Sequence, residues 1–550
     1  FMQNKGLCTL LLLLFLGVSV ANAQQKSVSG KVINSDNTPL SNVSVVIKGT
    51  RTATTTDNNG SFSISVASNQ SLSFSLVGYD TKDIRVGNST TINVKLSAVD
   101  NTLEDVVVTA MDIRRNKKEL GYSAQSVKGQ ELAETQRNNI VNSLQGRIAG
   151  LTINPTSGLA GASSQIVLRG FNSLALDNSP LFVVDGIIID NQSVQENNRN
   201  TGYAVKPSAA NVSTENRSND YTNRIADINP NDVESVTVLK GPEATALYGS
   251  QASSGAIVIT TKKGTSVDGK MKISYDNSFR TSIYTRYPKV MTDYDAGQNG
   301  IQSDVFTYFG MKYTPDVPKY GNLRAFFQPS SSITHNISVE QGTAKNSVRL
   351  SGSFLDENSP VPNNNYKKYN LRVVTNHKIG KTLEISPSFS IIKSGNDKPL
   401  RGVSGYLMSL MAWPEDDNAK NYITADGLKK PLFASNPNGE LDNPYFNVNK
   451  NRSRDELTRS IATLAINYNP TKWLSISGRM GYDTYAQDGY TKWDSSSYFL
   501  SRAQKGAQEN YYRRYYGYNH TVTATAKKSF GKINTRLMIG NMWQDYETQT

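Results

Sequence analysis

From about residue 270 to residue 550 the chain repeats one device: long runs in which apolar and polar side chains alternate residue by residue. In "SVRLSGSF" (347–354), Val348, Leu350, Gly352 and Phe354 share one face, and Ser347, Arg349, Ser351 and Ser353 share the other. In "LSISGRMGYDT" (474–484), Leu474, Ile476, Met480 and Tyr482 oppose Ser475, Ser477, Arg479 and Asp483. "YNHTVTATAKK" (518–528) and "KINTRLMIGNMW" (532–543) do the same. A period of two is the period of a β-strand. The runs are roughly 10 to 14 residues long, about what a tilted strand needs to cross a bilayer. A half-buried soluble sheet also alternates, but these runs carry Tyr and Trp near their ends. Tyr511, Tyr512, Tyr515, Tyr516 and Tyr518 form one cluster, and Trp473 and Trp493 mark other ends. Amphipathic rings suit the headgroup region on either side of a hydrocarbon band. The expectation is a large antiparallel transmembrane β-barrel.

About nine spanning strands are expected. An open sheet cannot sit in lipid, because its edge amides are unpaired. A barrel wide enough to hold a folded domain needs ~22 strands, or roughly 440 residues with connections. About 280 residues follow position 270, so the expectation is the first part of a longer barrel.

The first residues predict the route to a membrane. "FMQNKGLCTLLLLLFLGVSVANAQQ" has Lys5, an apolar run from Leu7 to Val20 and then Ala21, Asn22 and Ala23. That is the pattern of a secretory signal peptide cleaved between Ala23 and Gln24. Cys8, the only cysteine, falls within it, so a mature chain would hold no thiol, disulfide or cysteine-bound metal. No later run reaches the ~18 apolar residues of a spanning helix. The formal charge is +13, but Lys and Arg are scattered among acids instead of forming one basic face, which argues against a nucleic-acid partner.

Residues 27 to 97 predict a β-sandwich of about seven short strands. Val43, Val45 and Ile47 alternate cleanly, as do Phe62, Ile64 and Val66, then Leu72, Phe74 and Leu76, then Ile92, Val94 and Leu96. Residues 111 to 265 predict an α+β unit. In "NNIVNSLQGRIAG" (138–150), Ile140, Val141, Leu144 and Ile148 fall on one helical stripe. "QIVLRG" (165–170), "LFVVDGIIID" (181–190), "VESVTVLKG" (233–241) and "GAIVITTKKG" (255–264) are buried-strand candidates. A polar insertion at about 190–225 is expected to be loop. The expected division is a signal peptide (1–23), the sandwich (24–98), a tether (99–112), the α+β unit (113–265) and the incomplete barrel (266–550).

Few residues carry enzyme chemistry. His335, His377 and His520 are far apart and belong to no metalloprotease or hydrolase motif. His335 and His520 sit on apolar faces, as interface-level barrel residues would. "GTSVDGK" (264–270) approaches a phosphate loop, but Met271 stands where the hydroxyl residue belongs, and the segment fits a linker better. The acidic pairs Asp356 with Glu357 and Asp416 with Asp417 fit solvated loops. No catalytic residue, metal site or cofactor is expected. "LEDVVVTA" (103–110) puts β-branched residues in the tether between two folded regions. Such a strand, lacking a partner in its own chain, can join a partner protein's sheet. Four to six backbone hydrogen bonds at ~1 kcal/mol each give a reversible grip.

The motifs then resemble a known family, the SusC/RagA-type TonB-linked outer-membrane proteins of Bacteroidetes. "VSGKVINSDNTPLSNVSVVIKGT…TTTDNNGSFSISV" (28–66) is similar to that family's carboxypeptidase-regulatory-like domain. "LQGRIAGLTI", "IVLRGFNSL", "PLFVVDGIII" and "INPNDVESVTVLKGPEATALYGSQASSGAIVITTKKG" (228–264) resemble its plug domain. The resemblance implies that Leu103, Glu104, Asp105, Val106, Val107, Val108, Thr109 and Ala110 form the box that TonB binds. It makes Arg169, Gly170, Asp185, Gly186, Gly241, Pro242, Tyr248 and Gly249 plug motif residues. It implies a plug filling a lipid-embedded barrel, a SusD-like surface lipoprotein as a lid, and TonB-driven import of a nutrient oligomer, glycan or peptide. A TonB-dependent receptor for an iron chelate or vitamin is the alternative. A surface adhesin built of sandwich domains, or a secreted hydrolase, fits less well.

Overall fold

In a computed structural model the described residues are 25–34, 37–50, 52–67, 70–87, 89–97, 106–108, 114–116, 124–172, 178–192, 220–265, 269–402, 405–433, 441–498, 506–531 and 533–550. The expected signal peptide and its cleavage site, and Leu103, Glu104, Asp105, Thr109 and Ala110, lie outside them, as does most of the polar insertion. The chain divides into two compact units, 1–106 and 107–550.

The first unit is a seven-stranded sandwich. Its strands are β1 (Gln25–Ile33), β2 (Ser44–Ile47), β3 (Ala53–Thr55), β4 (Ser61–Ala67), β5 (Ser71–Ser75), β6 (Lys82–Arg85) and β7 (Val94–Lys95). They form sheets in the orders β4-β1-β7 and β3-β2-β5-β6. The alternating apolar positions all turn inward, with Val28, Val45, Ile64 and Leu72 in one core. Phe62 and Phe74 meet edge to face at 5.3 Å. At the DNNG turn the Asp57 carboxylate accepts the amides of Asn59 (2.9 Å) and Ser61 (2.7 Å), and Gly60 takes φ 73°.

Two short strands, β8 (Val106–Val108) and β9 (Arg114–Asn116), pair with each other. The valine strand therefore has a partner in its own chain, contrary to expectation, and belongs to neither sandwich sheet. Arg114–Asn116 shows no apolar alternation that would have marked it as a strand.

The α+β part of the second unit contains β10 (Ala124–Lys128), β11 (Leu151–Pro155), β12 (Ser164–Leu168), β13 (Leu181–Val184), β14 (Ile187–Ile189), β15 (Val233–Leu239) and β16 (Ala256–Thr261). Five of these form a sheet in the order β10-β15-β16-β13-β14, and β11 and β12 form a separate hairpin. The helix at 138–150 is shorter than its stripe suggests, spanning only Ile140–Ser143. Even so, Ile140, Val141, Leu144 and Ile148 all enter the core beside Phe182, Val236 and Ile257. "LFVVDGIIID" is a hairpin and not one strand. Asp185 (φ 51°) and Gly186 (φ 84°) both take left-handed conformations, as the tightest hairpin turns require.

The rest is one antiparallel meander: β17 (Met271–Ser282), a small loop hairpin of β18 (Gly297–Gln298) and β19 (Ile301–Gln302), then β20 (Ser330–Gly342), β21 (Asn346–Asn358), β22 (Asn365–Ile379), β23 (Leu383–Pro399), β24 (Arg452–Tyr468), β25 (Leu474–Trp493), β26 (Ala507–Phe530) and β27 (Ile533–Gln549). Nine strands, all but β18 and β19, form one sheet in sequence order. They run from 12 to 24 residues, longer than expected, because several continue past the apolar band. Turns at one end are short (343–345, 380–382, 469–473, 531–532), and those at the other include 283–329 and 400–451. Short turns on one side and long loops on the other characterise outer-membrane barrels.

The sheet is polar inside and apolar outside. On β21, Arg349 and Ser351 are 5% and 4% exposed, while Val348 and Leu350 are 39% and 42% exposed. On β25, Arg479 is buried and Met480 is exposed. Water would penalise that arrangement, whereas lipid favours it. Trp473, Tyr468 and Phe530 project outward near the short-turn end, and Tyr369, Tyr482 and Trp543 higher up. From Trp473 to Tyr482, nine residues at ~3.3 Å and ~40° tilt rise about 23 Å, close to the ~25 Å apolar band of such barrels. His520 and Tyr518 lie 5.5 and 5.6 Å from Trp543, and His335 stacks between Tyr275 and Phe354. Among the described residues no helix is long and apolar enough to cross a membrane.

Three expectations need correction. Tyr511 and Tyr515 do not belong to the outward girdle: strand parity turns them and Arg513 inward, leaving Tyr512, Tyr516 and Tyr518 outside. Asp356 and Glu357 lie within β21, not in a loop. Asp416 and Asp417 are tied down, accepting hydrogen bonds from Tyr313 (2.9 Å), Trp413 (3.1 Å) and Lys430 (2.8 Å).

Candidate functional site

The inner face of the sheet presents arginines, and the α+β body meets them with aspartates. Arg349 reaches Asp232 at 3.2 Å, Arg372 reaches Asp185 at 3.0 Å and Arg401 reaches Asp220 at 3.5 Å. Arg459 reaches Asp227 at 3.0 Å, and Arg513 reaches Asp190 at 3.4 Å. Strand alternation explains the wall side of four pairs, since Arg349, Arg372, Arg459 and Arg513 all occupy inward positions. On the body side, Asp185 and Asp190 flank β14, and Asp220, Asp227 and Asp232 follow in one irregular segment before β15.

Arg459 is the centre of this contact, with its side chain fully buried. Its Nε and Nη2 donate to the two oxygens of Asp483 at 2.8 and 2.7 Å. Nη1 donates to Asp227 and to the Arg224 carbonyl at 3.0 and 2.8 Å, and Nη2 to the Asp190 carbonyl at 3.1 Å. All five N–H donors of the fork are thereby used, which only a guanidinium could do from one position. The Tyr485 ring lies beside the guanidiniums of Arg224, Arg459 and Arg513 at 5.6 to 5.9 Å. Its hydroxyl donates to Asp190 and accepts from Arg513 Nε at 2.7 Å. Burial pushes the Asp190 carboxyl up, while the nearby Arg513 pulls it back down. The β14 strand presses closely on the wall here. A Cβ added at Gly481 would lie 2.1 Å from Ile187 Cδ1, and Asn519 donates to the Ile188 carbonyl at 3.2 Å.

Of the motif residues expected from sequence, Asp185 alone joins this contact, accepting also from the Thr261 amide (2.8 Å) and hydroxyl (2.7 Å). Gly186 completes its turn. Arg169 (φ 61°) and Gly170 (φ 85°) turn the chain after β12, and Arg169 donates to the Lys240 carbonyl at 3.0 Å. Gly241 and Pro242 open the short helix Pro242–Tyr248, Tyr248 is buried beneath it, and Gly249 (φ 75°) ends it. Sequence reasoning missed Arg349, Arg372, Arg459, Arg513, Asp190 and Asp227. Only Arg349, alone among Ser347, Ser351 and Ser353, carried a local signal; the inward faces around Arg372, Arg459 and Arg513 also hold large side chains such as Tyr366, Leu457 and Tyr515.

Residues 116–256 match the TonB-dependent Receptor Plug Domain family, and residues 28–108 match the CarboxypepD_reg-like domain family. TonB-dependent receptor SusC of Bacteroides thetaiotaomicron is 31% identical over 373 residues, 67% of this chain and 34% of its own length. TonB-dependent receptor P26 of Formosa agariphila is 26% identical over 530 residues, 93% of this chain and 49% of its own. The RagAB peptide importer in its open-open state superposes with a TM-score of 0.62 at 21% identity, over 80% of this chain and 49% of that one. The chain belongs to the SusC/RagA-type TonB-dependent receptors. It spans at most about half the length of the relatives it matches. In the vocabulary of that family, the α+β body is the plug, the long sheet is barrel wall, and the arginine–aspartate pairs form a latch between them.

Proposed function

We propose that this chain is the plug-bearing part of an outer-membrane, TonB-dependent importer of nutrient oligomers, glycan or peptide, working with a SusD-like surface lipoprotein. The observation that carries this reading is a lipid-compatible wall whose polar inner face is covered by a plug with its own sheet and hydrophobic core. A passage closed in this way needs something to pull the plug against its latch of ion pairs. In sequence the segment 103–110 lies between the sandwich and the plug, and it would serve as that handle. TonB would pair with the valine strand, either displacing Arg114–Asn116 or adding to the free edge of β8. The likeness to the RagAB peptide importer favours an oligomer over an iron chelate or vitamin, as does the N-terminal sandwich.

The test is uptake by cells carrying the full-length protein with Val107→Pro. Proline removes a strand N–H, so oligomer uptake should fall to background while the protein still reaches the outer membrane in normal amount. Normal uptake by this variant would remove the coupling role of the strand.

A further inference from the structure

On the outward face of β20 to β24, register rows grade from apolar to charged toward the long-loop end. Ile337, Gly352, Leu371 and Ile391 lie side by side in one row. Two residues higher come His335, Phe354, Tyr369 and Lys393, and two higher again Asp356, Lys367, Gly395 and Glu456. Two grooves open on this face. The lower, of about 490 Å³, has Gly352 as its floor and Ile337, Phe354, Leu371 and Ile391 among its walls. The upper, of about 430 Å³, runs over Gly395 beside Lys367, Arg454 and Glu456. Tyr369 and Lys393 line both grooves and so join them. A Cβ added at Gly352 would meet nothing nearer than 3.7 Å, and one at Gly395 nothing within 4 Å. Neither glycine has a positive φ, and neither sits at a register shift. Glycine weakens a strand interior, and where no bulge or bend demands it, it marks the close approach of a ligand.

The charges around the upper groove are nearly balanced: Lys367 pairs with Asp356 at 3.2 Å and Arg454 with Glu456 at 2.9 Å. Lys393 is different. It has neither an ion pair nor a hydrogen bond among the described residues, and it stands where the apolar groove passes into the polar one. An apolar channel that ends at an unclaimed ammonium fits an acyl chain that ends in an anionic headgroup. The long loops of such barrels face the outside, which puts this end of the wall in the outer leaflet, where the anionic lipid is phosphorylated, acylated glucosamine. We propose that this face binds one phosphate-bearing lipid of the lipid A class. An acyl chain would lie over Gly352. A phosphate would rest on Lys393 in the space that Gly395 leaves, with Lys367 offering the ammonium donors that its carboxylate does not use. The proposal rests on the outer-membrane placement of the wall and holds whatever nutrient is imported.

The experiment uses the full-length protein purified from outer membranes and delipidated in detergent. It is titrated with lipid A, with dephosphorylated lipid A and with phosphatidylglycerol, and binding is read by native mass spectrometry. Lipid A should bind about fivefold or more tightly than either control. Gly352→Leu, which fills the lower groove, and Lys393→Gln, which removes the ammonium, should each weaken lipid A binding by about fivefold or more. Both positions face away from the plug, and Lys393→Gln decides the matter if Gly352→Leu fails to fold. Phosphatidylglycerol or the dephosphorylated lipid binding as tightly as lipid A, or lipid A affinity unchanged in either folded variant, would overturn the proposal. No readout here involves uptake, so its failure leaves the import reading standing, and a failure of import leaves the lipid site standing.

Discussion

Replacing Arg459 with methionine probes the latch at its centre. When the plug leaves, Arg459 keeps its fork on Asp483, because both belong to the wall. The plug-dependent part is therefore the pair with Asp227 and the bonds to the carbonyls of Arg224 and Asp190. Charged hydrogen bonds contribute ~1.5–3 kcal/mol each, and breaking a buried pair by removing one partner costs ~3–5 kcal/mol. Arg459→Met should lower the free energy of plug opening by about 3–5 kcal/mol, more than a hundredfold in open population at ~1.4 kcal/mol per tenfold. Ala160 of the plug is buried against Leu355 and Tyr366 of the wall, so a cysteine replacing it in an otherwise cysteine-free full-length protein reports opening through maleimide labelling in vesicles. Asp483→Asn should have the smaller effect, since among the described residues only the Asp190 amide (3.2 Å) ties that carboxylate to the plug. Arg459→Met combined with Asp227→Asn should open less than the two single effects sum to, by ~1–3 kcal/mol. Labelling of Arg459→Met within about threefold of the wild-type rate, well short of that hundredfold, would refute the assignment of Arg459 to plug retention.

Other expectations concern the wall and the closeness of the fit. Val522→Arg, on the outward face beside Gly478 at mid-band, should cost ~2–4 kcal/mol of folding free energy in lipid vesicles, while Tyr512→Arg, above the girdle, should cost ~0–1, as measured by urea titration. Equal costs would mean that the outer face does not see a depth-dependent lipid environment. Gly481→Ala should loosen the plug by forcing Ile187 aside, and Ile187→Ala in the same protein should restore wild-type maleimide labelling. A loosening that Ile187→Ala leaves unrepaired would move the cause elsewhere.

How far the sequence carried can be seen residue by residue. The wall was legible because a side-chain period of two is local. Val348 and Leu350 against Arg349 and Ser351 already state which face meets lipid once strand length is added. The sandwich was legible for the same reason. Burial at strand ends was harder: in "YYRRYYGY" parity divides the tyrosines between lumen and girdle, although composition groups them together. The pairing in the latch was not legible. Arg459 and Asp227 are separated by 232 residues, and Arg513 and Asp190 by 323, and nothing local chooses among the many Asp residues that could pair. The partner of the valine strand was missed because Arg114–Asn116 pairs through its backbone, to which side-chain pattern is blind.

A disulfide between plug and wall is the most direct measurement of the central claim. At Gly481 an added Cβ would lie 2.5 to 2.8 Å from the γ-carbons of Ile187, so cysteines at the two positions bring their Cβ atoms to about the ~3.8 Å that a disulfide needs. Ile187→Cys with Gly481→Cys, made in the full-length protein and oxidised, should stop TonB-driven uptake, and reduction should restore it. Full uptake through a completely cross-linked protein would contradict the account, since the plug could not then be the stopper that moves.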